Sequence, residues 1–219
     1  MAEPIASLAP GGLLIPNPEF SVLASDQRIA AAAGALESNG IRALVVDDGR
    51  EARLRVRELI ADGAEVFNNT SRTLESIGVA EDIERSGRYR ALRLRLYQMD
   101  REMQGREMRQ LVAAPDYVVG SVHAVTDDGS LLIASASGSQ LGALVSGAAH
   151  VILVIGGQKI VADIETGLRR IREYAYPLED ERARRVYGVP SGVNNVLIIS
   201  RVLIPGRVTA ILVKEILGF

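Results

Sequence analysis

The run VILVI, Val151 to Ile155, bounded by Gly156-Gly157, constrains the fold of this chain more than any other feature. A short run with no polar position fits a strand covered on both faces, because a half-exposed strand would alternate. Upstream, two β-type runs, from Tyr117 and from Ser130, flank Asp127-Asp128-Gly129. Asp-Gly tolerates the positive φ of a tight turn, so a β-hairpin is expected near Asp127 to Gly129.

The rest of the chain supplies alternating elements. Ser25 caps a helical pattern carrying Ile29, Ala33 and Leu36 that Asn39-Gly40 ends. A strand, Ile41 to Asp47, is followed by a helix with Ala52, Val56, Leu59 and Ile60 on one face, then a short apolar strand, Ala64 to Phe67. Asp163 caps a helix with Ile164, Leu168 and Ile171, which Tyr174 to Pro177 is expected to break. Two β-type runs, Asn195 to Arg201 and Arg207 to Val213, close the series. Seven strands and about five helices in this order predict an α/β fold, a mostly parallel sheet sandwiched by helices. Residues 1–20, rich in Pro and Gly, read as a flexible N-terminal arm, and 21–219 as a single domain.

Glu84 to Leu111 reads as one arginine-rich helix with a stripe of Leu92, Leu96, Met99 and Met103, although Leu92, Leu94 and Leu96 also alternate as a strand would. Its arginines suit a solvated helix face, or a nucleic-acid contact in an interaction module. No aromatic interleaving accompanies them, and the net charge of −2 gives no overall pull toward nucleic acid or an anionic membrane.

Composition excludes several chemistries. With no cysteine, neither disulfides, thiolate zinc sites nor cysteine-held iron–sulfur clusters can be built from this chain. His123 and His150 fall in different elements and read as strand residues, so no metal site and no cofactor are expected. There is no GxGxxG, no Walker A loop and no GxSxG elbow. No basic segment leads into an apolar one at the start, and no apolar run approaches a membrane span, so a cytoplasmic location is expected.

What remains is a set of anion-friendly turns. Asn68, Asn69 and Thr70 follow one strand; Gly120 and Ser121 lie within the run from Tyr117; Gly138, Ser139 and Gln140 stand at an expected helix start; Gly156, Gly157 and Lys159 follow the apolar strand. Converging on one point, their N–H groups and one ammonium would hold a carboxylate or phosphate. Asn, Thr and Ser are also ordinary capping residues, and Lys159 is equally readable as a solvated strand-end lysine.

The runs NNTSRTLESIG (from Asn68), DYVVGSVHAVTDDGSLLIASASGSQLG (from Asp116), VILVIGGQKIVADIETGLRRI (from Val151), YPLEDERAR (from Tyr176) and PGRVTAILVKEILGF (from Pro205) resemble the LUD-domain family, named for lactate utilisation. The resemblance implies the fold shared by CoA-transferases and the ribose-5-phosphate and glucosamine-6-phosphate isomerases, with ligands at strand ends. It also implies, for the small cluster-free component, support of L-lactate oxidation to pyruvate beside partner proteins that hold iron–sulfur clusters. The alternative it implies is an isomerase or CoA-transferase-like enzyme acting on phosphosugars or CoA thioesters, although the transferase glutamate motif is not recognisable here. A small anionic metabolite is the expected partner, and a homodimer the expected assembly.

Overall fold

The structure is a computed structural model that describes residues 14–219. Most of the expected N-terminal arm therefore lies outside the described residues. Its end, Pro18–Ser21, is a 3₁₀ turn with Phe20 buried.

Helix α1 (Asp26–Ser38) is capped by Ser25, whose Oγ accepts the Arg28 N–H at 3.3 Å, and leads into β1 (Arg42–Val46). Helix α2 (Gly49–Leu59), β2 (Glu65–Asn68), α3 (Arg72–Ser76), α4 (Val79–Arg85), β3 (Arg90–Ala91), α5 (Leu92–Gln98) and α6 (Gly105–Ala113) follow. Then come β4 (Tyr117–Gly120), β5 (Ala124–Thr126), β6 (Leu131–Ser135), a π turn (Ala143–Gly147) and β7 (His150–Gly156). A 3₁₀ turn (Gly157–Lys159), β8 (Ile160–Val161), α7 (Ile164–Arg170), a π segment (Ile171–Ala175), α8 (Tyr176–Tyr187), β9 (Asn195–Ile199) and β10 (Val208–Val213) complete the series. No helix among the described residues is long and apolar enough to cross a membrane.

Six strands form a wholly parallel sheet in the order β1-β10-β7-β4-β2-β3. The apolar run from Val151 is β7, near its middle. Alternate residues serve opposite faces, as the two-residue period of a strand requires. Val151, Leu153 and Ile155 join the core under α1, while Ile152 and Val154 join the core under α2, α3 and α4. The mostly parallel, helix-covered α/β sheet is thus as the sequence predicts.

A second sheet, in the order β8-β5-β6-β9, was not distinguished from the first in the sequence. The hairpin at Asp127 to Gly129 forms as expected, but it joins β5 to β6 in this smaller sheet. The run from Tyr117 to Thr126 is divided: it leaves the large sheet at Gly120 and enters the small one at Ala124. The chain makes the same crossing from β7 to β8 through Gly157–Lys159, and β5 and β8 pair in parallel as β4 and β7 do.

The arginine-rich segment is not one helix. Gly87, at φ +73°, turns the chain after α4, and β3 pairs with β2, leaving α5 and α6 as separate short helices. Met103, placed on the apolar stripe by the sequence, is 85% exposed in the turn between them. Pro177 does not end its helix either. The π segment Ile171–Ala175 carries the chain into α8, and the Glu173 carbonyl, which an N–H at position 177 would have bonded, accepts the Asn17 N–H at 2.8 Å instead.

Gly129 combines φ +83° with a close approach: an added Cβ would stand 2.6 Å from the Ala35 backbone carbonyl carbon of α1. Gly63 shares the positive φ, +76°, but faces open space. Gly63→Ala is expected to cost about 1–2 kcal/mol, the left-handed backbone penalty alone. Gly129→Ala should cost clearly more, and equal midpoints for the two variants in urea denaturation would contradict this packing.

Candidate functional site

The two crossings between sheets bring Ser121, Val122 and His123 against Lys159, at the floor of a cavity of about 700 Å³. The floor lies beyond the carboxyl ends of β2 and β4, where open parallel sheets commonly take ligands. Helices α5 and α6 form one wall through Leu96, Tyr97, Met108 and Val112. The end of β6 and the turn after it form another through Ser135, Ser137, Ser139 and Gln140. Notably, α6 buries none of its residues fully; its apolar side faces the cavity.

Lys159 is 1% exposed. Its Nζ donates to Thr73 Oγ1 at 2.9 Å, Ser121 Oγ at 3.0 Å and the Val122 carbonyl at 3.1 Å, three uncharged acceptors and no carboxylate. Burial, with the nearby charge of Arg170, holds its pKa well below the ordinary lysine value. Arg170, 0% exposed, donates to the carbonyls of His123 and Phe20 and lies 5.1 Å from the Tyr174 ring. Its Nε is buried without a partner, and burial brings its pKa down to about 10. Two cations therefore share this interior with no acidic side chain in salt-bridge reach among the described residues.

His123 stands in the cavity wall. Its Nδ1 accepts the Ala134 N–H at 3.0 Å, so the neutral ring carries its proton on Nε2. Burial first, then the charges of Lys159 and Arg170, lower its pKa to about 3. The ring is a hydrogen-bond donor at neutral pH.

Of the residues singled out in the sequence, the structure brings Asn69, Thr70, Ser121, Ser139, Gln140 and Lys159 to this cavity. Thr70 Oγ1 accepts from Arg93 Nη2 at 2.8 Å, and Asn69 holds a buried Oδ1 with no partner. Asn68, Gly120, Gly138, Gly156 and Gly157 are not among the lining residues. Asn68 points into the core, where its Nδ2 donates to Glu84 Oε1 at 2.8 Å. A Cβ at Gly120 would lie 2.7 Å from the Asn69 amide nitrogen, so the bare backbone there lets Asn69 pack against β4. The Gly157 N–H is spent on the Glu215 carbonyl at 3.1 Å, and Gln158 Nε2 bonds the Leu217 carbonyl at 3.0 Å. The chain's own segment after β10 thus covers the end of β7. At the third turn, the Gly138 N–H donates to Ser135 Oγ at 2.9 Å and the Leu141 N–H to the Gly138 carbonyl at 3.0 Å, ahead of only a short helical turn.

Sequence reasoning missed His123 and the arginines of the walls. Arg72, Arg93, Arg101, Arg109 and Arg182 line the cavity with Lys159, against one acidic side chain, Glu179. Glu179 is committed to Arg182 through two bonds of 2.7 Å. Arg72 pairs with Glu75 at 2.6 Å, and Arg93 holds Thr70 and lies 3.8 Å from Glu84. Arg101 and Arg109 have no acidic partner among the described residues. The signal available was the excess of arginine from Arg85 to Arg109, which the sequence alone could not direct inward. Among the described residues, no group of three or more histidine and acidic side chains is placed to hold a metal ion.

With this fold and cavity in view, the comparisons place the chain. It belongs to the LUD-domain family, whose model matches residues 29–213. Its fold is similar to that of the crystal structure of a DUF162 family protein from Deinococcus radiodurans, with a TM-score of 0.54 and 12% identity over 88% of this chain and 99% of that one. No curated protein matches.

Two pH effects follow. Lys159 loses its proton more readily folded than unfolded, so between the two pKa values the unfolded chain binds more protons and stability rises with pH toward 10.5. Lys159→Met should flatten that rise in urea denaturation of the ligand-free protein, and an unaltered slope would remove Lys159 as its cause. At the acid end, His123 resists protonation in the fold, so stability present above pH 6.5 should be lost as pH falls toward about 3. His123→Gln should reduce the loss across that window.

Proposed function

We propose that this LUD-domain protein binds a small organic anion, with a carboxylate head at the floor formed by Ser121, His123 and Lys159. One observation carries the reading: Lys159 on the cavity floor, with Arg170 buried near it behind the lining, has no carboxylate in salt-bridge reach among the described residues. An uncompensated buried charge is costly, and an anionic ligand would relieve it. The His123 Nε2–H and the hydroxyl of Ser121 are suited to orienting the carboxylate and an adjacent hydroxyl or carbonyl oxygen.

Membership of a family named for lactate utilisation supports a role beside L-lactate oxidation to pyruvate. The sequence contains no cysteine, so in such a system cysteine-held iron–sulfur clusters would belong to partner chains. A second reading, an isomerase related to the CoA-transferase and phosphosugar-isomerase group, is favoured by the neutral His123 ring in the cavity wall. Turnover of a phosphosugar or CoA thioester by the purified chain alone would favour that reading.

Calorimetric titration with lactate, pyruvate and longer hydroxy acids tests the main proposal. Binding should take up protons wherever Lys159 is partly deprotonated in the free protein, because an anion beside Lys159 raises its pKa. Lys159→Met should weaken carboxylate binding about tenfold or more, through loss of the buried positive charge that the carboxylate meets. Equal affinity in the variant and the parent would remove the floor from the site.

A further inference from the structure

The cavity has two positive poles, and the proposed carboxylate uses one. The first is the buried floor, Lys159 with Arg170 behind it. The second is at the mouth, where Arg101, from the turn between α5 and α6, and Arg109, on α6, reach the cavity from the exposed side. The other cations of the wall are engaged: Arg72 by Glu75, Arg93 by Thr70 and the Asn68 carbonyl, Arg182 by Glu179. Arg101 and Arg109 have no such acceptor among the described side chains.

Size separates the poles further. A liquid water occupies about 30 Å³, so a cavity of about 700 Å³ has room for roughly twenty. Lactate has six non-hydrogen atoms and would leave most of that space to solvent. Between floor and mouth runs a hydroxyl-rich wall. Ser135 and Ser139 donate to Gln140 Oε1 at 3.1 and 3.4 Å, which leaves the Gln140 Nε2 donors unspent.

Resting on the carboxylate reading above, we infer that the ligand is a longer, hydroxylated acid carrying a phosphate ester at its far end, with that phosphate held by Arg101 and Arg109. A phosphate monoester bears close to two negative charges at neutral pH, matching two guanidinium groups, whereas a second carboxylate bears one. The planar fork of arginine bonds two phosphate oxygens at once. Because both arginines come from α6 and the turn before it, the ligand would also tie that helix to the floor.

Three six-carbon probes isolate the second pole by calorimetric titration: gluconate, with one carboxylate; glucarate, with a carboxylate at each end; and 6-phosphogluconate, with a carboxylate and a phosphate. The expected result is 6-phosphogluconate bound at least about tenfold more tightly than either of the others, one charge-assisted contact being worth that much. In an Arg101→Gln, Arg109→Gln double variant, shown to unfold at the parent's temperature, the ratio of 6-phosphogluconate to gluconate affinity should collapse toward one. Glucarate binding as tightly as 6-phosphogluconate would overturn the phosphate assignment. Gluconate binding with no gain from the phosphate, or a gain that survives in the double variant, would overturn the second pole and leave the carboxylate reading standing. Failure of all three probes, together with lactate and pyruvate, would overturn the carboxylate reading and this inference with it.

Discussion

The ammonium of Lys159 is the joint between the two sheets. It sits on the crossing from β7 to β8, and its bonds reach the crossing from β4 to β5 through Ser121 and Val122, and α3 through Thr73. Those three contacts hold the cavity floor together with the bonds of His123 to β6. A leucine would fill similar space but leave the two hydroxyls without that donor and the Val122 carbonyl with only the 3.4 Å bond from Ser121 Oγ. Buried acceptors in that state cost about 1–3 kcal/mol each, comparable with the penalty of burying the charge. The geometry thus ties a structural requirement to a chemical one: the group that pins the crossings is also the cation that an incoming anion meets.

The large sheet was legible in the sequence because its strands obey one local rule. VILVI admits no solvent-facing position, and the runs before Asp47, Phe67 and Val213 punctuate cleanly with Gly, Asn or Lys. The hairpin was legible for the same reason, since Asp128-Gly129 specifies its own turn and Asp128 Oδ1 further accepts the Ser130 N–H at 3.2 Å. Which sheet the hairpin joins is a different matter. Between Gly120 and Ala124 the sequence reads Ser-Val-His, with no proline or glycine pair to announce that a strand ends and another begins. The crossing is stabilised from elsewhere in the chain, by Lys159 and by the Leu132 carbonyl that receives the His123 N–H at 2.8 Å. Such long-range partners leave no local trace.

The site was legible only where the residue type carries its own chemistry. Lys159, Ser121, Thr70 and Gln140 stand out as polar groups beside apolar strands, and all line the cavity. The glycines do not: Gly156 and Gly157 suggest open N–H groups, yet the segment from Glu215 to Gly218 lies over them, its Glu215 carbonyl taking the Gly157 N–H and its Gly218 carbonyl the Gln158 amide. A period of 3.6 also misread the arginine-rich stretch. Leu92 and Leu96 keep that spacing, but the chain kinks at Met99, so Arg101 and Arg109 turn toward the cavity while Arg88 and Arg90 pair with Asp62 and Glu65 on the far side.

Strand order has a consequence for how the molecule is made. In the large sheet β1 has β10 as its only neighbour among the described residues, and β10 also completes the second edge of β7. β1 therefore waits for a strand about 160 residues further along the chain before it finds that partner. Contacts so distant along the chain form slowly, since loop closure must precede any gain from them. Until then Arg42–Val46 and the apolar flank of β7 are open edges, ready to pair with the wrong chain. Val208–Val213 is thus the strand whose arrival joins Arg42–Val46 to the rest of the sheet.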